Sequence, residues 1–121
     1  MAAPAELFDP AAHEPLDATP WSGAQVLSTV DAIVESALEA YRTEQLWPMH
    51  PRDIEPGDEK RSRGYTSMYI GAAGIAWALG RLGAASPIDA SGLVAAFEEA
   101  PDEELAHGLL VGEAGVVLAA R

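Results

Sequence analysis

The chain has 121 residues, enough for one small domain, with 19 acidic and seven basic side chains, a formal net charge of −12 and no cysteine. That balance excludes a phosphate-backbone binder, which needs a basic surface to release counterions, and the lack of cysteine excludes a disulfide scaffold or a thiolate metal site made from this chain alone. With 49% apolar residues, mean hydropathy near zero and no apolar run approaching about 20 residues, the composition is that of a folded domain, neither disordered nor membrane-spanning.

Residues 1–20 carry Pro4, Pro10, Pro15 and Pro20 among scattered acids, a density that prevents regular structure and reads as a lead-in arm. Met1 to Pro10 has neither the basic start nor the apolar segment of a secretory signal, so the expected location is cytoplasmic. A helix is predicted over about 22–46, with Ser22 as N-cap and Gln25 completing a capping box. Val26, Leu27, Val30, Ile33, Val34, Ala37, Leu38 and Tyr41 recur at helical spacing, while Asp31, Glu35 and Glu39 line another face. This is an amphipathic helix that stops before Pro48. Residues 47–66 form a loop rich in proline and charge, of a length that marks function or a linker. Its basic cluster, Lys60, Arg61 and Arg63, follows Glu55, Asp58 and Glu59 directly and reads as locally neutralised and solvated.

The next helix, about 70–83, is apolar on every side and is expected to be buried on every side. Ser86, Pro87 and Asp89 begin an amphipathic helix over about 89–100, capped by Asp89 or Ser91, with Leu93, Val94, Phe97 and Ala100 as its apolar stripe. Glu98-Glu99 and Asp102-Glu103-Glu104 read as solvated charge at a helix end. A second apolar helix, about 110–121, runs to the last residue. The order amphipathic, apolar, amphipathic, apolar is that of two concentric helical layers, and an internal repeat supports it. Tyr69–Leu79 aligns with Leu110–Ala120 at a spacing of 41 residues, a period typical of helical-hairpin arrays. The expected fold is all-α, an incomplete α/α toroid of double-layered hairpin repeats with amphipathic helices outside and apolar ones inside. Such an incomplete ring is expected to leave Ile75, Leu79 and Leu110 partly exposed and to favour self-association of the isolated chain.

Two stretches carry a resemblance to a known family. The first is Leu46-Trp47-Pro48-Met49-His50-Pro51-Arg52-Asp53 leading to Ser67-Met68-Tyr69-Ile70-Gly71-Ala72-Ala73-Gly74; the second is Gly108-Leu109-Leu110-Val111-Gly112-Glu113-Ala114-Gly115. With W-P-x-H-P before one G-x-x-G and G-E-A-G within the other, the chain from about Leu46 onward resembles the lanthionine synthetase C-like family. The motif positions are Trp47, Pro48, His50, Pro51, Tyr69, Gly71, Gly74, Gly112, Glu113 and Gly115. The resemblance implies a toroid of about seven inner and seven outer helices, and a zinc ion held by two cysteines and a histidine in the later part of a chain some three times longer. It also implies addition of a peptide cysteine or glutathione thiol to a dehydroamino acid. This chain would then be the N-terminal portion, inactive alone.

Each motif has a plainer reading too. Gly71, Gly74, Gly112 and Gly115 could aim helix N-terminal amides at an anion, but no Lys-Ser/Thr follows, so a P-loop is excluded. Close packing near the axis explains them more simply. His13, His50 and His107 match no metal spacing. Prolines flank His50 on both sides and Asp53 is placed to orient its ring, a structural arrangement. Trp21, Trp47 and Trp77 are read as packing residues. No catalytic, cofactor-binding or metal residue is therefore assigned; zinc is expected only in a full-length homologue, with a peptide substrate or glutathione as its partner and no nucleic acid or membrane span. The alternatives are a non-catalytic homologue that binds a peptide or partner, and another α/α toroid, such as one acting on carbohydrate.

Overall fold

The computed structural model describes residues 19–102 and 107–121. Most of the proline-rich arm, His13, Glu103 and Glu104 lie outside these residues. Among the described residues four helices follow one another, α1 (Gly23–Ala40), α2 (Ala72–Arg81), α3 (Ala90–Glu99) and α4 (Glu113–Ala119), with a 3-10 turn at Asp58–Lys60. The fold is all-α. No helix among the described residues is long and apolar enough to cross a membrane.

Each helix begins or ends for a local chemical reason. Ser22 Oγ accepts from Gln25 N at 3.3 Å to cap α1, and Asp89 Oδ1 accepts from Gly92 N at 2.7 Å to cap α3. α2 ends on Gly83 in the left-handed region (φ 78°), where Gly83 N donates to Gly80 O and Ala84 N to Leu79 O. These two bonds satisfy carbonyls the helix leaves open, and glycine takes that conformation without the cost of a Cβ.

α1 ends at Ala40, six residues before its expected limit near residue 46. Tyr41 turns extended, and Arg42 Nη1 donates to Glu39 O (2.6 Å) and Tyr41 O (2.7 Å), closing the helix end. A tight turn from Arg42 to Leu46 then reverses the chain. Leu46 sits at φ 60°, a conformation costing an L-residue roughly 1–2 kcal/mol, and is only 2% exposed. Burial of its side chain offsets that strain. Trp47 follows it inward: its ring packs 4.9 Å from Tyr41, and its Nε1 donates to Ala37 O at 2.6 Å. The loop expected over 47–66 thus runs from Tyr41 to Gly71, interrupted by the 3-10 turn.

Leu46, Trp47, Ala72, Ala73, Leu79, Leu93, Ala96 and Val116 make the core, and α4 packs against both α2 and α3. α1 joins only through its second half, with Val34, Ala37, Ala40 and Tyr41 against this cluster. Leu27 and Ile33, from the same predicted stripe, are exposed. Trp21, read as packing, is 83% exposed. α2 is not buried all round either: Trp77 is half exposed, and Gly80 and Arg81 face outward. Leu79 is buried rather than partly open, Ile75 is half-buried and Leu110 is exposed. α4 begins later and ends earlier than its apolar run, whereas α3 starts directly after its Asp89 cap and stops one residue before Ala100. Gly108 to Val111 form a turn before α4, closed by Gly112 N donating to Gly108 O.

Candidate functional site

The two G-x-x-G motifs open α2 and α4 through turns of the same construction. Gly71 N donates to Ser67 O at 3.1 Å, and Gly112 N to Gly108 O at 3.0 Å. A Cβ at Gly74 would run into Met68 O, and one at Gly115 into Leu109 O, each six residues back. A Cβ at Gly71 would lie 2.5 Å from Ser67 N and Tyr65 C. Backbone occupies the space a side chain would need. The turns lie side by side, since Tyr69 N donates to Leu110 O at 2.8 Å across one repeat period.

A carboxylate from an acidic run expected to be solvated locks the first turn. Asp102 has a side chain only 5% exposed. Its Oδ1 accepts from Thr66 N (2.7 Å) and Thr66 Oγ1 (3.1 Å), and its Oδ2 from Ser67 N (2.7 Å). Thr66 and Ser67 are completely buried, so these bonds replace water they cannot reach. Arg61 Nη2 sits 3.3 Å from Asp102 Oδ1 and also donates to Ala100 O, and Arg63 Nη1 pairs with Glu99 Oε2 at 2.6 Å. The basic cluster is therefore not a solvated loop; two of its members tie the loop to the end of α3. Asp102 has one sequence signal: Arg61, of opposite charge, stands one repeat period before it.

Beside this knot is a cleft of about 470 Å³, walled by Arg52–Pro56, Tyr65, Tyr69, Ile70, Asp102 and Val111. Tyr65 anchors its floor. The hydroxyl lies within donating distance of Asp58 Oδ2 (2.9 Å) and Asp53 O (3.0 Å), and accepts from Glu55 N at 3.2 Å. Burial pushes the phenol's pKa above its ordinary 10.0, opposed by the Glu55 amide and assisted by the Asp58 carboxylate. Tyr69 is 69% exposed at the rim, and the exposed side chains of Asp53 and Glu55 outnumber that of Arg52. The cleft is thus shaped by a tyrosine pair and acidic in balance.

No family profile, curated protein or solved structure matches this chain. Trp47, Gly71, Gly112 and Gly115 are buried, whereas Pro48, His50, Pro51, Tyr69 and Glu113 are exposed. The structure unites Gly71, Gly74, Gly112 and Gly115 at the paired turns and leaves His50 apart. The ring of His50 is not oriented by Asp53; its Nδ1 accepts from Arg52 N at 3.2 Å, the shorter reach in a tight turn. His107 is exposed, and no group of three or more His, Asp or Glu among the described residues is arranged to hold a metal ion.

Proposed function

We propose that the chain is the N-terminal portion of a lanthionine synthetase C-like protein, built as an α/α toroid, whose complete form adds a cysteine or glutathione thiol to dehydroamino acids. The observation that supports this most is the pairing of the two G-x-x-G turns. The residues that bear the resemblance are the same ones that open neighbouring helices in a common manner, one repeat period apart. In this family zinc supplies a Lewis acid that lowers the thiol pKa. The residues present here do not fit that ion, because there is no cysteine and His50 uses Nδ1 locally. On this proposal the zinc ligands lie in sequence other than these 121 residues.

What this chain would contribute is a wall of the peptide site. The cleft beside the paired turns presents Tyr69, Asp53 and Glu55 to an extended peptide. The same cleft favours a second reading, a homologue that binds a peptide without chemistry. Sequencing the gene beyond the Arg121 codon, then assaying its product with a dehydroalanine peptide and a thiol, separates them. The first reading expects a cysteine and a later Cys-His pair, zinc-dependent thioether formation, and only the uncatalysed rate from the 121-residue chain alone. Peptide binding with no metal-dependent addition would replace it with the second.

A further inference from the structure

Arg61 and Tyr65 show how this protein holds a cation. The Arg61 guanidinium lies 5.0 Å over the Tyr65 ring, with Asp58 at 3.7 Å and Asp102 at 3.3 Å. An aromatic face and two carboxylates suit one positive group, because the ring quadrupole attracts it and the carboxylates accept its N–H groups. The cleft beside this knot carries a second set of the same groups. Tyr69, 69% exposed, and the exposed Asp53 and Glu55 all line it. Both acidic residues are tied to its floor through Tyr65, whose hydroxyl bonds to Asp53 O and to Glu55 N.

The chain's own cations fill only the first set. All seven lysines and arginines lie within the described residues, and the ion pairs they form with described acids are those of Arg61 and Arg63 with Asp58, Asp102 and Glu99. Asp53 and Glu55 therefore have no lysine or arginine partner, although Arg52 adjoins Asp53 in sequence. The backbone around them has spent its donors. The N–H groups of Arg52, Asp53, Glu55, Asp58, Ser67 and Tyr69 already have acceptors, and Pro56 has no N–H to give. What the cleft offers a ligand is mainly acceptors and a π face. An anion would meet carboxylates and engaged amides there, whereas a cation brings the donors that the wall lacks. The net charge of −12 draws cations from a distance as well.

We infer that the cleft selects its peptide by a basic side chain: a lysine or arginine of the peptide lies on the Tyr69 ring and gives its N–H groups to the Asp53 and Glu55 carboxylates. The inference rests on the reading of this cleft as a peptide wall and names the class of peptide that the wall takes. It holds for a catalytic and a non-catalytic homologue alike, since neither zinc nor thiol enters it.

The test titrates the 121-residue chain into dye-labelled Gly-Ser peptides that carry two lysines, two glutamates or no charge, and reads fluorescence anisotropy. The lysine peptide should bind at least about tenfold more tightly than the other two. Exposed ion pairs are weak singly, so both carboxylates are removed together: Asp53→Asn with Glu55→Gln should weaken lysine-peptide binding at least about fivefold. Tyr69→Ala should weaken it too, and Tyr69→Phe, which keeps the ring, should not. Glu35→Gln with Glu39→Gln takes the same two charges from the exposed face of α1 and should leave the affinity within about twofold. Far-UV circular dichroism checks that each variant stays helical. Equal affinity for all three peptides would overturn the selection by charge and leave the peptide wall standing. Failure of every peptide to bind would remove the wall and this inference with it. An equal loss from the cleft and α1 variants would also overturn it, as attraction by net charge without a site.

Discussion

Replacing Asp102 by Asn changes one atom and one charge, and the structure sets its cost. The amide oxygen can still accept from Thr66 N and Thr66 Oγ1, but the nitrogen in place of Oδ2 faces the Ser67 N–H, originally 2.7 Å from an acceptor. Flipping the amide moves the same donor-donor conflict to Thr66. Ser67 is 0% exposed, so water cannot intervene, and an unsatisfied buried donor costs about 1–3 kcal/mol. The nearly buried Arg61 also loses its charged partner, and removing one partner of a buried pair costs up to about 3–5 kcal/mol when nothing replaces it. Because Arg61 keeps Asp58 at 3.7 Å and Ala100 O, a combined loss of roughly 2–4 kcal/mol is expected, a large share of the 5–15 kcal/mol typical of a domain. Urea unfolding followed by far-UV circular dichroism, with the slope checked for constancy, measures it. A midpoint equivalent to less than about 0.5 kcal/mol of change, the range of ordinary surface substitutions, would refute the idea that this carboxylate clasps the turn.

Gly74→Ala should destabilise by about 1–3 kcal/mol, since its Cβ meets Met68 O, whereas Gly80→Ala on the open face of the same helix should stabilise by up to about 1 kcal/mol. Equal effects in thermal unfolding would contradict the steric role of the motif glycine. The Gly92 amide, followed by the Ser91 hydroxyl, holds the Asp89 carboxyl below its ordinary 3.8. Its contribution is therefore complete above pH 3.8 and is lost as pH falls through the lowered folded value, so the stability difference between wild type and Asp89→Asn should be flat above pH 3.8 and drift below it. A difference that changes only between pH 5 and 8 would point to another group.

Much of this protein is local and can be read in its sequence. The helical period, the caps at Ser22 and Asp89 and the backbone turn that opens each G-x-x-G helix depend on neighbours within a few residues. Local chemistry therefore determines the four helices among the described residues, their order and the places where backbone must pass close to backbone. Tertiary structure decided which apolar residues are inside. Leu27 and Ile33 follow the helical pattern and Trp21 reads as a packing residue, yet all three stay exposed, while Leu46 accepts a strained φ to enter the core. Asp102 is the sharpest case. In sequence it is one acid in a run of three, and such a run is ordinarily solvated. Its burial follows only from the return of α3 to the start of α2, which brings two amides, a hydroxyl and a guanidinium to one carboxylate. A pattern of residue types records which groups prefer to leave water, but the partner that makes a buried charge tolerable comes from the path of the chain between them.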